Sequence, residues 1–172
     1  DILLALIKNA EDRLNVIHDT AIAGVRVILF VEDSPIYASV LLPILYRAIV
    51  LQAQAVMVEG LNEEHRPLTM RARPKILFAT SLEEARSLFK QFEPYILGVI
   101  SDVSFPHNHE IDPNAGIKLL SRIKKERFDI PLLLTSSEPS NREKAAEIPA
   151  TFIDKNSPSL LSEVRSFFIE RL

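Results

Sequence analysis

The chain reads as an α/β domain on a doubly wound, five-stranded parallel sheet, with one extra helix at its N-terminus. Three observations predict this. Short apolar runs rich in β-branched residues alternate with helical segments, the pattern of a parallel sheet covered on both faces. Two of the runs, VRVILFV (25–31) and GVIS (98–101), stop abruptly at carboxylates, Glu32–Asp33 and Asp102. Helix-start signals follow the runs directly, as at Ser34–Pro35 and at Ser81 with Glu84. Right-handed crossovers and the strand order 2-1-3-4-5 complete the expectation.

The bulk numbers fit one soluble domain. The chain has 172 residues, 47% hydrophobic and 25% charged, with a net charge of −3. So small a charge gives no reason to expect nucleic acid or an acidic membrane surface as partner. With no cysteine, disulfides, thiolate catalysis and zinc–thiolate sites are excluded. No apolar run of membrane-spanning length and no signal peptide is read, and a cytoplasmic location is expected. The chain opens on Asp1 rather than Met and is read as a piece of something longer.

Residues 1–22 form the N-terminal helix. Leu3, Ile7, Ala10, Leu14 and Ile17 repeat at intervals of 4, 3, 4 and 3, an a/d seam. Such a helix lies on its own domain or a neighbour, or serves as a linker or homodimer helix. The domain proper is expected over 23–172. After the first strand, Ser34 caps a long helix reaching about Glu59, with Tyr37, Leu41, Ile44, Ala48, Leu51, Ala55 and Val58 on one face. Pro43 inside it predicts a kink. Residues 60–74 are polar, contain Pro67 and Pro74, and read as an inserted loop whose Arg66, Arg71 and Arg73 are solvated.

Lys75–Ala79 is the second strand, and a capped helix follows with Leu82, Ala85, Leu88, Phe89 and Phe92 inward. The strand bearing Asp102 leads into a loop, His107–Gly116, and a helix from about Ala115 burying Leu119, Leu120 and Ile123. Pro131–Thr135 and Thr151–Asp154 are the last strands, separated by a short helix near Asn141–Ile148. Ser157 and Pro158 are expected to start the final helix, with Leu161, Val164, Phe167 and Phe168 inward.

The strand ends carry the chemistry. Strand one supplies Glu32 and Asp33, strand three Asp102, strand four Thr135–Ser136, and strand five Lys155. In the 2-1-3-4-5 order the crevice opens between strands one and three, so the acids converge. Two carboxylates at about 4 Å repel by on the order of 4 kcal/mol at an effective dielectric of about 20, which pushes at least one pKa upward. A cation relieves this, and Mg²⁺, hard and oxygen-seeking, suits the donors. Asp102 is then a nucleophile for a phosphoryl group, with Lys155 and the Ser136 hydroxyl on its oxygens. The plainer reading, a sheet-edge salt bridge with solvated hydroxyls, fits any one of these residues alone but poorly fits the set.

The segments VILFVEDSP, GVISDVSFP, PLLLTSSE and TFIDKNSP, with Gly116 opening IKLL, together resemble the receiver domains of bacterial response regulators, a CheY-like branch of the flavodoxin-like fold, over residues 24–172. The resemblance implies Asp102 as phosphoacceptor and Mg²⁺ held by Glu32, Asp33, Asp102 and the Ser104 carbonyl. It implies Ser136 and Lys155 on the phosphoryl group, and Ser136 with Phe152 as the switch pair. A histidine kinase or phosphotransfer protein would be the donor, and an attached output domain the target. Residues 60–80 also look like receiver-type domains joined to phosphoenolpyruvate synthase or pyruvate phosphate dikinase-like parts.

This sequence departs from the family at Asn156, where proline usually follows the lysine, and in the longer loop holding His107, His109, Glu110 and Asp112. Those departures motivate an alternative, a pseudo-receiver that binds partners without phosphorylation. An aspartyl-phosphate phosphatase fits less well: the first strand carries Glu32–Asp33, and Ser104 stands two residues after Asp102. A receiver is not an enzyme in the ordinary sense, since it would catalyse only its own phosphorylation and dephosphorylation.

Overall fold

The computed structural model describes residues 2–58 and 73–172. Five parallel strands form its main sheet: β1 (Val27–Val31), β2 (Lys75–Ala79), β3 (Ile96–Asp102), β6 (Leu132–Ser136) and β7 (Thr151–Asp154). Their order is β2-β1-β3-β6-β7, the doubly wound arrangement expected. Every residue of β1 is buried, because both faces of this central strand are covered. Val27, Leu29 and Val31 face α3 (Leu82–Phe92) and α4 (Ala115–Glu126) through Phe89, Phe92, Leu119 and Ile123. Ile28 and Phe30 face α2 (Pro35–Val58) and α6 (Leu160–Arg171) through Leu41, Leu45, Ile49, Val164 and Phe168.

The N-terminal helix, α1 (Ile2–Ala23), runs further than its a/d seam suggests. Its buried face is Ala5, Asp12, Val16 and Thr20. Leu3, Ile7, Leu14 and Ile17 of the seam point outward, at 65%, 48%, 83% and 64% exposure. The inner face has a specific task at the free edge of β2. There Asp12 accepts from the Ile76 backbone N–H at 2.9 Å, and Asn9 Nδ2 donates to the Ile76 carbonyl at 3.1 Å. An open sheet edge is thereby closed by side chains.

Arg73, expected on a solvated surface, is instead buried and pairs with both Asp12 oxygens, at 2.8 and 3.1 Å. Tyr46 donates its hydroxyl to the same carboxylate at 2.8 Å, and Lys75 Nζ lies 2.8 Å from Asp19. A carboxylate taken wholly out of water requires this density of donors. The rest of the expected 60–74 insertion, with Arg66 and Arg71, lies almost entirely outside the described residues.

Other local expectations shift for identifiable reasons. α2 continues through Pro43 and buries Leu41, Leu42, Leu45, Tyr46, Ala48 and Ile49, while Leu51 is exposed. Its Pro35–Ala53 stretch has a mean hydropathy of 1.6 over 19 residues, long and apolar enough to cross a membrane by length and composition, contrary to the reading above. Here it packs as a core helix against the sheet and α6.

The predicted loop after Pro106 contains a hairpin, β4 (Phe105–His107) and β5 (Glu110–Asp112), turned by Asn108 and His109 at φ of 53° and 68°. Ser81 caps α3 by accepting from Glu84 N–H at 3.2 Å, and Glu84 reaches back to Thr80 N–H at 3.0 Å. The short helix α5 spans Asn141–Glu147. α6 begins at Leu160 rather than at Pro158, so Leu160 turns inward and Leu161 is 41% exposed.

Candidate functional site

Strand register assembles the site. Val31 pairs with Ser101 across β1 and β3, so the next residue on each strand, Glu32 and Asp102, falls side by side just past the ladder. Asp102 itself pairs with Thr135 on β6, and Ser136 pairs with Asp154 on β7. Lys155, the residue after β7, anchors its backbone N–H on the Ser136 carbonyl at 2.9 Å. From there its four-carbon stem crosses the end of β6 to the acids.

Oxygens of Glu32, Asp33 and Asp102 lie within 4.8 Å of one another. Lys155 Nζ sits between two of these acids, 2.6 Å from Glu32 Oε2 and 2.9 Å from Asp102 Oδ1. At 2.6 Å the ammonium is the only partner of Glu32 Oε2 among the described residues. Its other oxygen accepts from Ser34 N–H at 3.1 Å.

Glu32 is fully buried, and its pKa is pushed up to about 7. Burial is the largest cause; Lys155 works against it, and the Asp102 charge adds to it. The like-charge repulsion anticipated from sequence is therefore present but secondary. Asp102 is shifted upward too, again by burial first, with Lys155 opposing and Asp33 adding. Three acids against one ammonium, that of Lys155, make a hard-oxygen pocket short of positive charge among the described residues. That donor set fits a small divalent cation.

The surrounding residues show what holds the site. Gly116 N–H donates to the Val103 carbonyl at 2.9 Å, and a Cβ at Gly116 would stand 1.9 Å from the Asp102 carbonyl oxygen. Only glycine permits that approach. Ser104 is half-buried in the bend after β3. Ser136 is buried, and its Oγ accepts from Glu138 N–H and from Asn141 Nδ2, both at 3.0 Å, which holds it toward α5. Thr135 Oγ1 donates to the Ser101 carbonyl at 3.4 Å. Phe152 is buried on β7 beneath the Arg142 guanidinium, 4.8 Å from the ring centroid.

Tyr37, read above only as a helix-face residue, lies with its ring centroid 4.3 Å from Lys155 Nζ. No sequence signal marks that contact, because it depends on how α2 leans over the strand ends. Asn141 was likewise invisible as the partner of Ser136. Where proline usually stands, Asn156 donates its backbone N–H to Asp154 Oδ1 at 2.8 Å and its Nδ2 to the Ser137 carbonyl at 3.2 Å. These bonds tie the lysine loop to the loop after β6, and no cis peptide occurs among the described residues.

In the hairpin, His107 and Asp112 engage each other and neighbours on α3 and α4. His107 lies 3.4 Å from Asp112 and 3.8 Å from Glu83, and Lys118 is 2.6 Å from Asp112.

Comparison with known proteins bears on the fold. No protein-family model matches the chain, and no curated protein does. Solved structures do. A Chloroflexus aurantiacus protein described as a response regulator aligns over 86% of this chain and 99% of its own, at 19% identity and a TM-score of 0.56. The phosphorylated cyanobacterial phytochrome response regulator RcpA aligns over 86% and 96%, at 14% identity and 0.55. The Thermotoga maritima response regulator TrrA, in complex with Mg²⁺ and BeF, covers 86% and 99%, at 19% identity and 0.50. The chain thus has the CheY-like fold of response-regulator receiver domains, with an additional N-terminal helix.

Proposed function

We propose that this domain is a phosphorelay receiver that accepts a phosphoryl group on Asp102. The observation that carries the reading is the acid triad within 4.8 Å, with Lys155 Nζ 2.9 Å from Asp102. Mg²⁺ would be held by Glu32, Asp33, Asp102 and the Ser104 carbonyl, and when bound it supplies charge neutralisation for the phosphoryl oxygens and the acids. An Asp102 carboxylate oxygen attacks phosphorus in the donor, a phosphohistidine or a small acyl phosphate. The new O–P bond forms as the donor's P–N or P–O bond breaks, and the leaving group keeps that electron pair.

Lys155, released from Asp102, transfers its ion pair to a phosphoryl oxygen. Ser136 turns from Asn141 to donate to another, and Phe152, already buried, repacks beside it as the switch. A histidine kinase or phosphotransfer protein is the donor, and an attached output domain reads the change. The known complexes of TrrA with Mg²⁺ and BeF and the phosphorylated state of RcpA support this chemistry by analogy of fold.

Incubation with Mg²⁺ and acetyl phosphate should add one phosphoryl mass to the wild type and none to Asp102→Asn. Absence of any adduct, and of any beryllofluoride-induced spectral shift, would exclude the reading. One observation favours the pseudo-receiver instead: the 2.6 Å Lys155–Glu32 pair already compensates the lysine without a phosphoryl group. Partner binding that is unchanged in Asp102→Asn and needs no phosphodonor would select that second reading.

A further inference from the structure

We infer that the outward seam of α1 is the interface of a parallel homodimer, in which two copies of this helix form a short coiled coil. α1 carries two distinct faces. Ala5, Asp12, Val16 and Thr20 pack inward on the domain. The other face carries Leu3, Ile7, Ala10, Leu14 and Ile17, and its large members are 48–83% exposed.

A spacing of 4, 3, 4 and 3 keeps one stripe in line along a left-handed supercoil, whereas a helix lying on a globular surface uses a wider, 3.6-periodic stripe. The inward face is taken up by the helix's own domain, and this second stripe is uncovered among the described residues.

A second copy matches the stripe in register. Under a two-fold axis along the helices, Ala10 meets Ala10 at the centre and allows close approach, with Ile7 and Leu14 layers on either side. Four large side chains at 48–83% exposure make an apolar patch on the order of several hundred Å², to be set against the roughly 800 Å² each partner gives to a standard interface. The flanking charges do not oppose approach, since Glu11 is paired with Lys8 at 2.8 Å and Arg13 with Glu84 at 2.6 Å.

The seam is also presented rigidly. Two heptads alone are too short to hold a helix in water. Here the Asp12 cluster, with Arg73 at 2.8 Å and Tyr46 at 2.8 Å, fastens the helix to β2 and α2. The ordering that association would otherwise require is therefore already in place.

Sedimentation equilibrium of the full chain from micromolar to millimolar concentration should show a monomer–dimer equilibrium. Leu14→Glu should weaken the dimer at least tenfold while leaving the circular dichroism melt of the domain unchanged. The chain has no cysteine, so Leu3→Cys introduces the only thiol and should give a disulfide-linked dimer on mild oxidation. The same change at Asn15, off the seam, should not.

A monomer at every concentration, or a dimer insensitive to both Leu14→Glu and Ile7→Glu, would overturn the inference. So would cross-linking only between a Leu3→Cys chain and an Ile17→Cys chain, the signature of an antiparallel pair. None of these readouts depends on phosphorylation.

Discussion

At the scale of single residues, the site is a balance between burial and charge. Glu32 is held in a dry position by one backbone N–H and one ammonium, and Tyr37 lies against the far side of that ammonium. Cation–π contacts of this kind contribute about 0.5–2 kcal/mol, enough to bias the lysine toward the acids. Gly116 is constrained more sharply still. In Gly116→Ala the new methyl would collide with the Asp102 carbonyl oxygen, a backbone atom that cannot rotate away. Overpacking of this sort costs about 1–3 kcal/mol or more. A urea titration should therefore show a lower midpoint at unchanged slope, and the variant should bind beryllofluoride with Mg²⁺ more weakly, because β3 must shift. Wild-type stability in Gly116→Ala would show that the strand end yields to the added methyl. Gly24 contrasts with this: its φ is +61°, and nothing lies within 4 Å of a Cβ there.

At the scale of elements, α1 behaves as part of the domain through one buried carboxylate. Asp12 takes bonds from Arg73, Tyr46 and the edge strand of the sheet, so three elements meet on it. Removing one partner of a buried ion pair typically costs about 3–5 kcal/mol, because the remaining charge is stranded. Asp12→Ala should destabilise the chain by that order in guanidinium unfolding. Amides of α1 and of Lys75–Ala79 should lose hydrogen-exchange protection before those of β1 and β3. Uniform loss across the sheet would mean that α1 is no separate unit. The double variant Asp12→Ala with Arg73→Leu, which leaves no charge unpaired, should recover part of the loss.

At the scale of the whole molecule, Glu32 links stability to pH. Its carboxyl titrates near 7 in the fold, against a reference of 4.5. Between those values the folded chain keeps a proton that the unfolded chain has released. Stability of the metal-free protein should therefore fall as pH rises through that window, by on the order of 3 kcal/mol in all. Mg²⁺ requires the ionised acids, so its stabilising effect should grow with pH over the same range. Thermal melts at stepped pH, with and without Mg²⁺, check both slopes. Glu32→Gln should flatten the metal-free curve, and an unchanged slope in that variant would assign the effect to another group.

Much of this architecture was legible beforehand, and the reason is periodicity. Runs such as VILFV and KILFA, five residues long and followed closely by helix-start signals, read as buried strands, and Ser81 with Glu84 marks a helix start. Those signals are local, so the alternation of strands and helices and the acids at strand ends follow from the chain alone, while the sheet order is an expectation that the strand pairing bears out.

What only the tertiary structure decided is which partner each residue meets. The α1 seam was visible as a pattern, but that it faces away from the domain follows from Asp12, whose burial turns the helix the other way. Arg73 has the composition of a surface residue and becomes a core one because Asp12 is there to receive it. Lys155 touches Glu32 as well as Asp102 because β1 and β3 are neighbours in register, a relation between residues seventy apart. Pattern determines which face of an element is apolar; the pairing of buried charges decides what that face is turned toward.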